Sequence, residues 1–382
     1  MKIFSDPAYI PPQVDHIWQL SPFWGLTELE IKSLQPQRLS RYMRDGKAIL
    51  QMTSLEEADF AVFPAEYQQC HSEDRRGFFH RFTQLAAAAG KPTIVFTGGD
   101  LEHALPEFTG YEFHTSLYRS NKAKCTFGMP PAIGDLVDEE LGGSLPVLAK
   151  QPMASLGFCG SAPPFGMSLG KEMLKETLRD LLYGAGLLSR THVGYAPRAK
   201  AIRVLRRTKA IKTNILIRGN SRFTWAFGYL LKDNDERTLT KQRQEYLANL
   251  LGSPYTLCVR GRGNYSLRFY EALCCGRIPV LVDTDCVLPF EKQINWKDYC
   301  VWVEESDISH IGEIVSDFHA RISDIEFKEL QLACRRLWLD YLSPESFMRN
   351  LSMNFLACHF DAVRPSPTQA QHDKQEMDLT LK

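Results

Sequence analysis

The chain has no excess of charge in either direction: 45 Lys and Arg stand against 45 Asp and Glu over 382 residues. A balanced chain sets up no global field that would gather nucleic acid, so nucleic acid is not an expected partner. Cysteine occurs ten times but never as Cys-x-x-Cys, and Cys274 and Cys275 are adjacent. This pattern speaks against a zinc framework and a regular disulfide scaffold, and it suits a reducing compartment. The histidines form neither a His-x-x-x-His nor a Cys/His group, so no metal ligand set stands out. No uncharged apolar run approaches the ~18 residues a membrane span needs. The start, Met1 to Pro7, lacks the apolar core of a signal peptide. No Gly-x-Ser-x-Gly elbow, Walker loop or internal repeat is present, which removes serine-hydrolase, P-loop and solenoid readings.

What is present reads as α/β. Candidate strands run over residues 58–63, 92–96 and 125–129, with a helix at 78–89 that Gly90 ends. The Gly- and Pro-bearing stretch 142–152 reads as a crossing between domains. A second α/β set follows: strand 155–159, helix 168–183, strand 214–217 and helix 239–251. After a strand at 299–303 the chain turns helical over 309–321, 325–341 and 344–360. The length suits two domains, divided as 1–150 and 151–343, then a helix at 344–363 and a disordered polar tail at 364–382.

The segment Tyr255 to Asp283 carries the densest signal. A β-prone run, Tyr255 to Val259, leads to Gly261 and Gly263, which let the backbone turn sharply and approach a ligand. Asn264 or Ser266 is placed to cap the next helix, Gly276 to end it, and Pro279 to forbid its continuation. A helix N-terminus favours an anion. Arg260, Arg262 and Arg268 gather positive charge at that same end, against the dipole preference. A bound phosphate or diphosphate explains that choice. Arg268 and Glu271 share a helix face, so phosphate at one end and sugar hydroxyls at the other would both find partners. The plain alternative is an ordinary helical ion pair.

These residues resemble a known family. Arg260-Gly261, Ser266, Arg268-Phe269, Glu271-Ala272-Leu273, Ile278-Pro279-Val280, Leu288-Pro289-Phe290 and Ile294-Asn295-Trp296 follow the pattern of exostosin-type glycosyltransferases. The likeness is specific over residues 243–308, with weaker echoes at Ala58-Asp59-Phe60 and Gly157-Phe158-Cys159-Gly160. Tyr246 fits the tyrosine that precedes the family's central strand. The resemblance implies two Rossmann-like domains facing a cleft (the GT-B type), with C-terminal helices crossing back to the first. It also implies an inverting transfer from a nucleotide sugar, by family habit a uridine diphosphate sugar, to an oligosaccharide or lipid-linked glycan in polysaccharide synthesis. The implied substrate contacts are Arg260, Gly261, Arg262, Gly263, Asn264, Ser266, Arg268 and Glu271. Eukaryotic members are membrane-anchored, so this chain is expected to be a cytoplasmic, bacterial enzyme.

Between Asp180 and Asp233 there is no acidic residue and there are eleven basic ones. A solvated basic helix over 199–209 is one reading; an anion-binding surface, at the inner membrane face or for the donor diphosphate, is another. Arg218, at a strand end, is the member expected to reach the donor. The catalytic base is expected on the first domain: Asp100, after the strand 92–96 and two glycines, leads Glu66 and then Asp6. Each has a plain reading as a turn or cap residue. No metal cofactor is expected. Two further readings stay open: a metal-dependent GT-A-like transferase using Asp283 and Asp285, and a non-catalytic polyanion binder using residues 198–212.

Overall fold

The computed structural model describes residues 1–31, 37–70, 72–100, 105–165, 169–188, 194–218 and 236–355. Among the described residues eleven strands fall into two sheets, and every pairing of these strands is parallel. The first sheet takes β1 (Lys2–Phe4), β2 (Gln51–Met52), β3 (Phe60–Val62), β4 (Thr93–Thr97), β5 (Gly110–His114) and β6 (Thr126–Gly128), in the order β2-β1-β3-β4-β5-β6. The second takes β7 (Ala154–Ser161), β8 (Ile211–Arg218), β9 (Tyr255–Cys258), β10 (Ile278–Asp283) and β11 (Val301–Glu304), in the order β11-β10-β9-β7-β8. Parallel strands covered on both faces need continuous apolar runs, and β3, β4, β9 and β10 are buried at every position.

Strand and helix boundaries differ from the sequence expectation by a few residues, most at the helix Glu73–Ala88, which starts five residues early. β1, β2 and β5 have no counterpart among the expected strands. In β5 the Gly-Tyr-Glu-Phe-His run hides the apolar period because a polar residue, His114, is buried at its end, Nε2 lying 3.0 Å from the Glu112 carboxylate. The expected solvated helix at 199–209 is corrected. It runs Ala196–Arg207 and buries Arg198, Ala199, Ala201, Ile202 and Leu205, leaving Arg206, Arg207, Lys209 and Lys212 outside.

One core joins the two sheets. Ile3, Tyr111 and Phe113 share it with Phe269, Leu281, Trp338 and Phe347. The C-terminal helix Pro344–Asn350 packs back onto the first sheet, the Phe347 ring lying 6.4 Å from Phe113 and 5.6 Å from Phe290. Beyond it, in Leu351–Phe355, Ser352 Oγ donates to the Ile49 carbonyl at 3.4 Å. The expected continuation of that helix past residue 355 and the tail at 364–382 lie outside the described residues.

Candidate functional site

The loops that follow the strands of one sheet bond those that follow the strands of the other. After β5, Ser116 Oγ accepts the Asn264 N–H at 2.8 Å, and the Leu117 carbonyl accepts the Val287 N–H at 3.2 Å. The Arg119 N–H reaches the Asp285 carbonyl at 2.8 Å. After β4, Asp100 lies against Gly263, where an added Cβ would sit 2.8 Å from the Asp100 Cα. Gly263 is therefore needed for the approach of two loops, beyond any turn it makes.

In the second sheet β7 pairs with β8 on one side and β9 on the other, so the direction of chain progression reverses between β7 and β9. Parallel α/β sheets bind ligands in such a crevice, beyond the carboxyl ends of the strands. Arg198 fills it. Its Nη1 donates to the Ser161 carbonyl at 2.9 Å and its Nη2 to the Val259 carbonyl at 2.8 Å. Arg268, at the start of the helix Leu267–Cys274, donates through Nε to the Cys159 carbonyl at 2.8 Å. Both guanidiniums face the Phe158 ring, at 5.7 Å and 4.7 Å from its centroid.

The electrostatics are unusual. Arg198 is only 6% exposed, and its Nε is buried without a hydrogen-bond partner. Burial, and then the charge of Arg268, push the Arg198 guanidinium down to about 9. Among the described residues neither arginine has a carboxylate within ion-pair distance. Asp100, exposed at the rim and bonded to the Tyr265 phenol, is the acid whose field reaches Arg198. Two cations held on carbonyl oxygens, one desolvated, leave a site that an anion would complete.

The residues singled out from sequence separate into three groups. Arg268, Gly261, Gly263 and Asp100 gather around this site; a Cβ on Gly261 would lie 3.3 Å from Arg198 Nη2. Arg262 is exposed beside them. Arg260, Asn264 and Ser266, expected to touch the substrate, lie buried, with Arg260 and Asn264 bonded into the framework of the loop. Arg260 is 4% exposed and bonds the Tyr118 hydroxyl and the Arg262 carbonyl. Asn264, 1% exposed, spends its amide on the Leu117 and Asp285 carbonyls and accepts from the Thr284 hydroxyl. Ser266 occupies the N-cap position with no capping bond, and its Oγ is buried without a hydrogen-bond partner. Glu271 is buried and accepts the Tyr246 phenol, while Arg268 turns away to β7, so the two make no helical pair. Arg218 pairs with Glu245.

Asp6 caps the turn Pro7–Tyr9, accepting the Ala8 N–H at 2.9 Å, which is its plain reading. Asp283 and Asp285 are both engaged: Asp283 with Arg119 at 3.3 Å and the Cys286 N–H at 2.9 Å, Asp285 with the Ser120 N–H at 3.1 Å. The polyanion reading loses Arg198 to the interior. The sequence reasoning named the basic segment but not this member of it. The signal was there: Arg198 follows Pro197 on the apolar face that Ala199, Ile202 and Leu205 define.

Among the described residues no helix is long and apolar enough to cross a membrane. Residues 221–318 match the family model described as the exostosin GT47 domain. Over 92 residues the chain is 40% identical to Exostosin-1 of Drosophila melanogaster, covering 24% of this chain and 12% of that protein. It is 34% identical over 111 residues to an Exostosin-1 homolog of Caenorhabditis elegans, 29% of this chain and 27% of the relative. It is also 34% identical over 77 residues to a probable beta-1,4-xylosyltransferase, IRX10L, of Arabidopsis thaliana, 20% and 19% of the two lengths. The chain thus matches only a minor part of each relative's length. The matched stretch contains the Gly261–Gly263 loop, Arg268 and Glu271, and over it the chain is similar to the exostosin GT47 domain.

Proposed function

We propose that the protein is an inverting glycosyltransferase that moves a sugar from a nucleoside-diphosphate sugar to a glycan acceptor, with the diphosphate on Arg198 and Arg268. The observation that carries this reading is the guanidinium pair at the β7/β9 crevice, with Arg198 buried and no carboxylate paired to either among the described residues. As the bond from the anomeric carbon to phosphate breaks, negative charge grows on the leaving diphosphate. Fixed cations and the backbone N–H groups of the Gly261–Gly263 loop stabilise that charge more in the transition state than in the ground state. The plant relatives, named as probable xylosyl- and glucuronosyltransferases, support a sugar donor. Two parallel sheets with apposed C-terminal edges suit the GT-B arrangement. The acceptor then enters from the first sheet. The arginine pair supplies the counter-charge that a divalent ion provides elsewhere, and the carboxylates of Asp283 and Asp285 serve the loop instead.

Calorimetric titration with uridine diphosphate tests the reading. Each charge-assisted bond is worth about 1.5–3 kcal/mol, so Arg268→Ala should weaken binding tenfold or more. Arg198→Lys, which keeps the charge but not both carbonyl bonds, should weaken it less. Chelator should leave wild-type binding unchanged. Equal affinity in all three proteins would remove the diphosphate from this site.

A further inference from the structure

A cavity of about 290 Å³ opens at the C-terminal edge of the first sheet. Four neighbouring strands each send it a wall: Glu66 after β3, Gly98 and Gly99 after β4, Thr115 after β5, and Pro130 after β6. Its size lies near the lower end of the ~300–1,000 Å³ range of small-molecule clefts. Trp18 and Ile17 give it an apolar side, and Gln19 and Gln68 bring amides. Gln19 is 2% exposed, its Oε1 has no hydrogen-bond partner, and its Nε2 meets only the Met129 sulfur, at 3.9 Å. A buried amide oxygen left without a donor is a cost that a ligand hydroxyl relieves. Apolar wall, amides and a carboxylate together are the chemistry of a sugar ring, which carries C–H faces and hydroxyl edges.

The charges say which sugar. The charged and titratable groups that line the cavity with Glu66 are Asp15, His16, Glu30 and Arg38, and Cys70 lies behind it. Arg38 stands 3.9 Å from Glu30, and the His16 ring donates to the Gly25 carbonyl at 3.0 Å. A uronate would enter beside Glu66 and Asp15, while the Arg38 guanidinium faces Glu30. Glu66 itself is held in place, its Oε1 accepting the Gly98 N–H at 2.9 Å. The same loop continues to Asp100, whose backbone touches Gly263 of the donor loop.

We infer that this cavity binds a neutral sugar ring, the acceptor of the reaction proposed above, and that Glu66 takes the proton from its attacking hydroxyl. The inference rests on that reading for its second half. The acceptor O–H proton passes to the Glu66 carboxylate, and the acceptor oxygen bonds the anomeric carbon. The bond from that carbon to the phosphate oxygen breaks, and its electron pair leaves on the diphosphate. Burial pushes the Glu66 carboxyl up to about 7, where a general base is most effective. The base thereby moves from Asp100, which faces the guanidiniums and Tyr265, to Glu66.

The test uses saturation-transfer NMR with methyl β-glucoside and methyl β-glucuronoside on the full chain. Above the Glu66 midpoint the wild type should prefer the glucoside by about tenfold or more. Below the midpoint, and at every pH in Glu66→Gln, that preference should collapse, and Gln19→Ala should weaken the glucoside. Equal binding of both glycosides above the midpoint, or an unchanged preference in Glu66→Gln, overturns the cavity assignment. For the base, sugar-nucleotide turnover with the glucoside should fall about 10²–10⁴-fold in Glu66→Gln, with uridine diphosphate affinity kept. Normal turnover in that variant, or no turnover in the wild type, overturns the base. Failure of the wild type to bind uridine diphosphate defeats the donor reading, while the glycoside arm still judges the cavity.

Discussion

Gly160 is the residue on which the guanidinium pair depends most directly. A Cβ there would fall 2.0 Å from Arg268 Nη2, so no side chain fits while Arg268 reaches the Cys159 carbonyl. Gly160→Ala should displace the guanidinium and lower uridine diphosphate affinity about tenfold, as calorimetry would read it. Glu66 makes a second prediction at this scale. Its folded value of about 7 lies above the ordinary 4.5 because burial disfavours the charged form. The folded state therefore keeps a proton that the unfolded chain has already lost. The stability this group contributes is complete below pH about 4.5 and is lost as pH rises through about 7. Urea titrations across that window should show a falling slope in the wild type, and Glu66→Gln should flatten it.

At the scale of elements, the loop after β9 is held as much as it holds. Asn264 ties it to the loop after β5 through the Leu117 carbonyl, and to the loop after β10 through the Asp285 carbonyl and Thr284 hydroxyl. Arg260 adds the Tyr118 hydroxyl. These bonds fix the Gly261–Gly263 turn beneath Arg198, so the motif that reads as ligand-binding works in part by positioning. Asn264→Ala leaves the buried Thr284 hydroxyl without its acceptor and takes one donor each from the Leu117 and Asp285 carbonyls, and an unsatisfied buried group costs about 1–3 kcal/mol. The variant should lose stability in that range by chemical denaturation. Its uridine diphosphate affinity should fall less than in Arg268→Ala, because no ligand contact is removed.

At the scale of the molecule, the two sheets share a core and do not stand as separate bodies. Phe113 of the first sheet, Phe290 beyond β10 and Phe347 of the C-terminal helix meet ring to ring. Arg335 from the helix Asp324–Leu337 pairs with Asp135 of the first half at 2.8 Å. Phe347 is 1% exposed, and truncating a buried Phe to Ala costs about 3–5 kcal/mol. Because that ring serves both halves, Phe347→Ala should shift one shared unfolding transition. Near- and far-ultraviolet circular dichroism should stay coincident in wild type and variant. Separate transitions would mean that the halves fold independently.

The sequence by itself determined the α/β class, half the strands of the first sheet and those of the second, and it singled out the loop from Val259 to Arg268 as the place where an anion is expected. Local rules suffice there: continuous apolar runs make buried parallel strands, and glycines followed by a capped helix make a turn whatever packs outside. It also placed Asp100 beside the donor loop, since a strand end in a parallel sheet points one way. Only the tertiary structure decided which arginines face the crevice. Arg260 and Arg268 are alike as sequence, yet one is spent on Tyr118 and the other on the end of β7. Arg198 sits 62 positions before Arg260 and enters the site because β7 lies between β8 and β9, a pairing no local pattern encodes. Glu66 likewise looks like any turn carboxylate until the strands on either side close a cavity over it. Burial and the company of other charges are collective properties of the packed chain, and they set what each of these side chains can do.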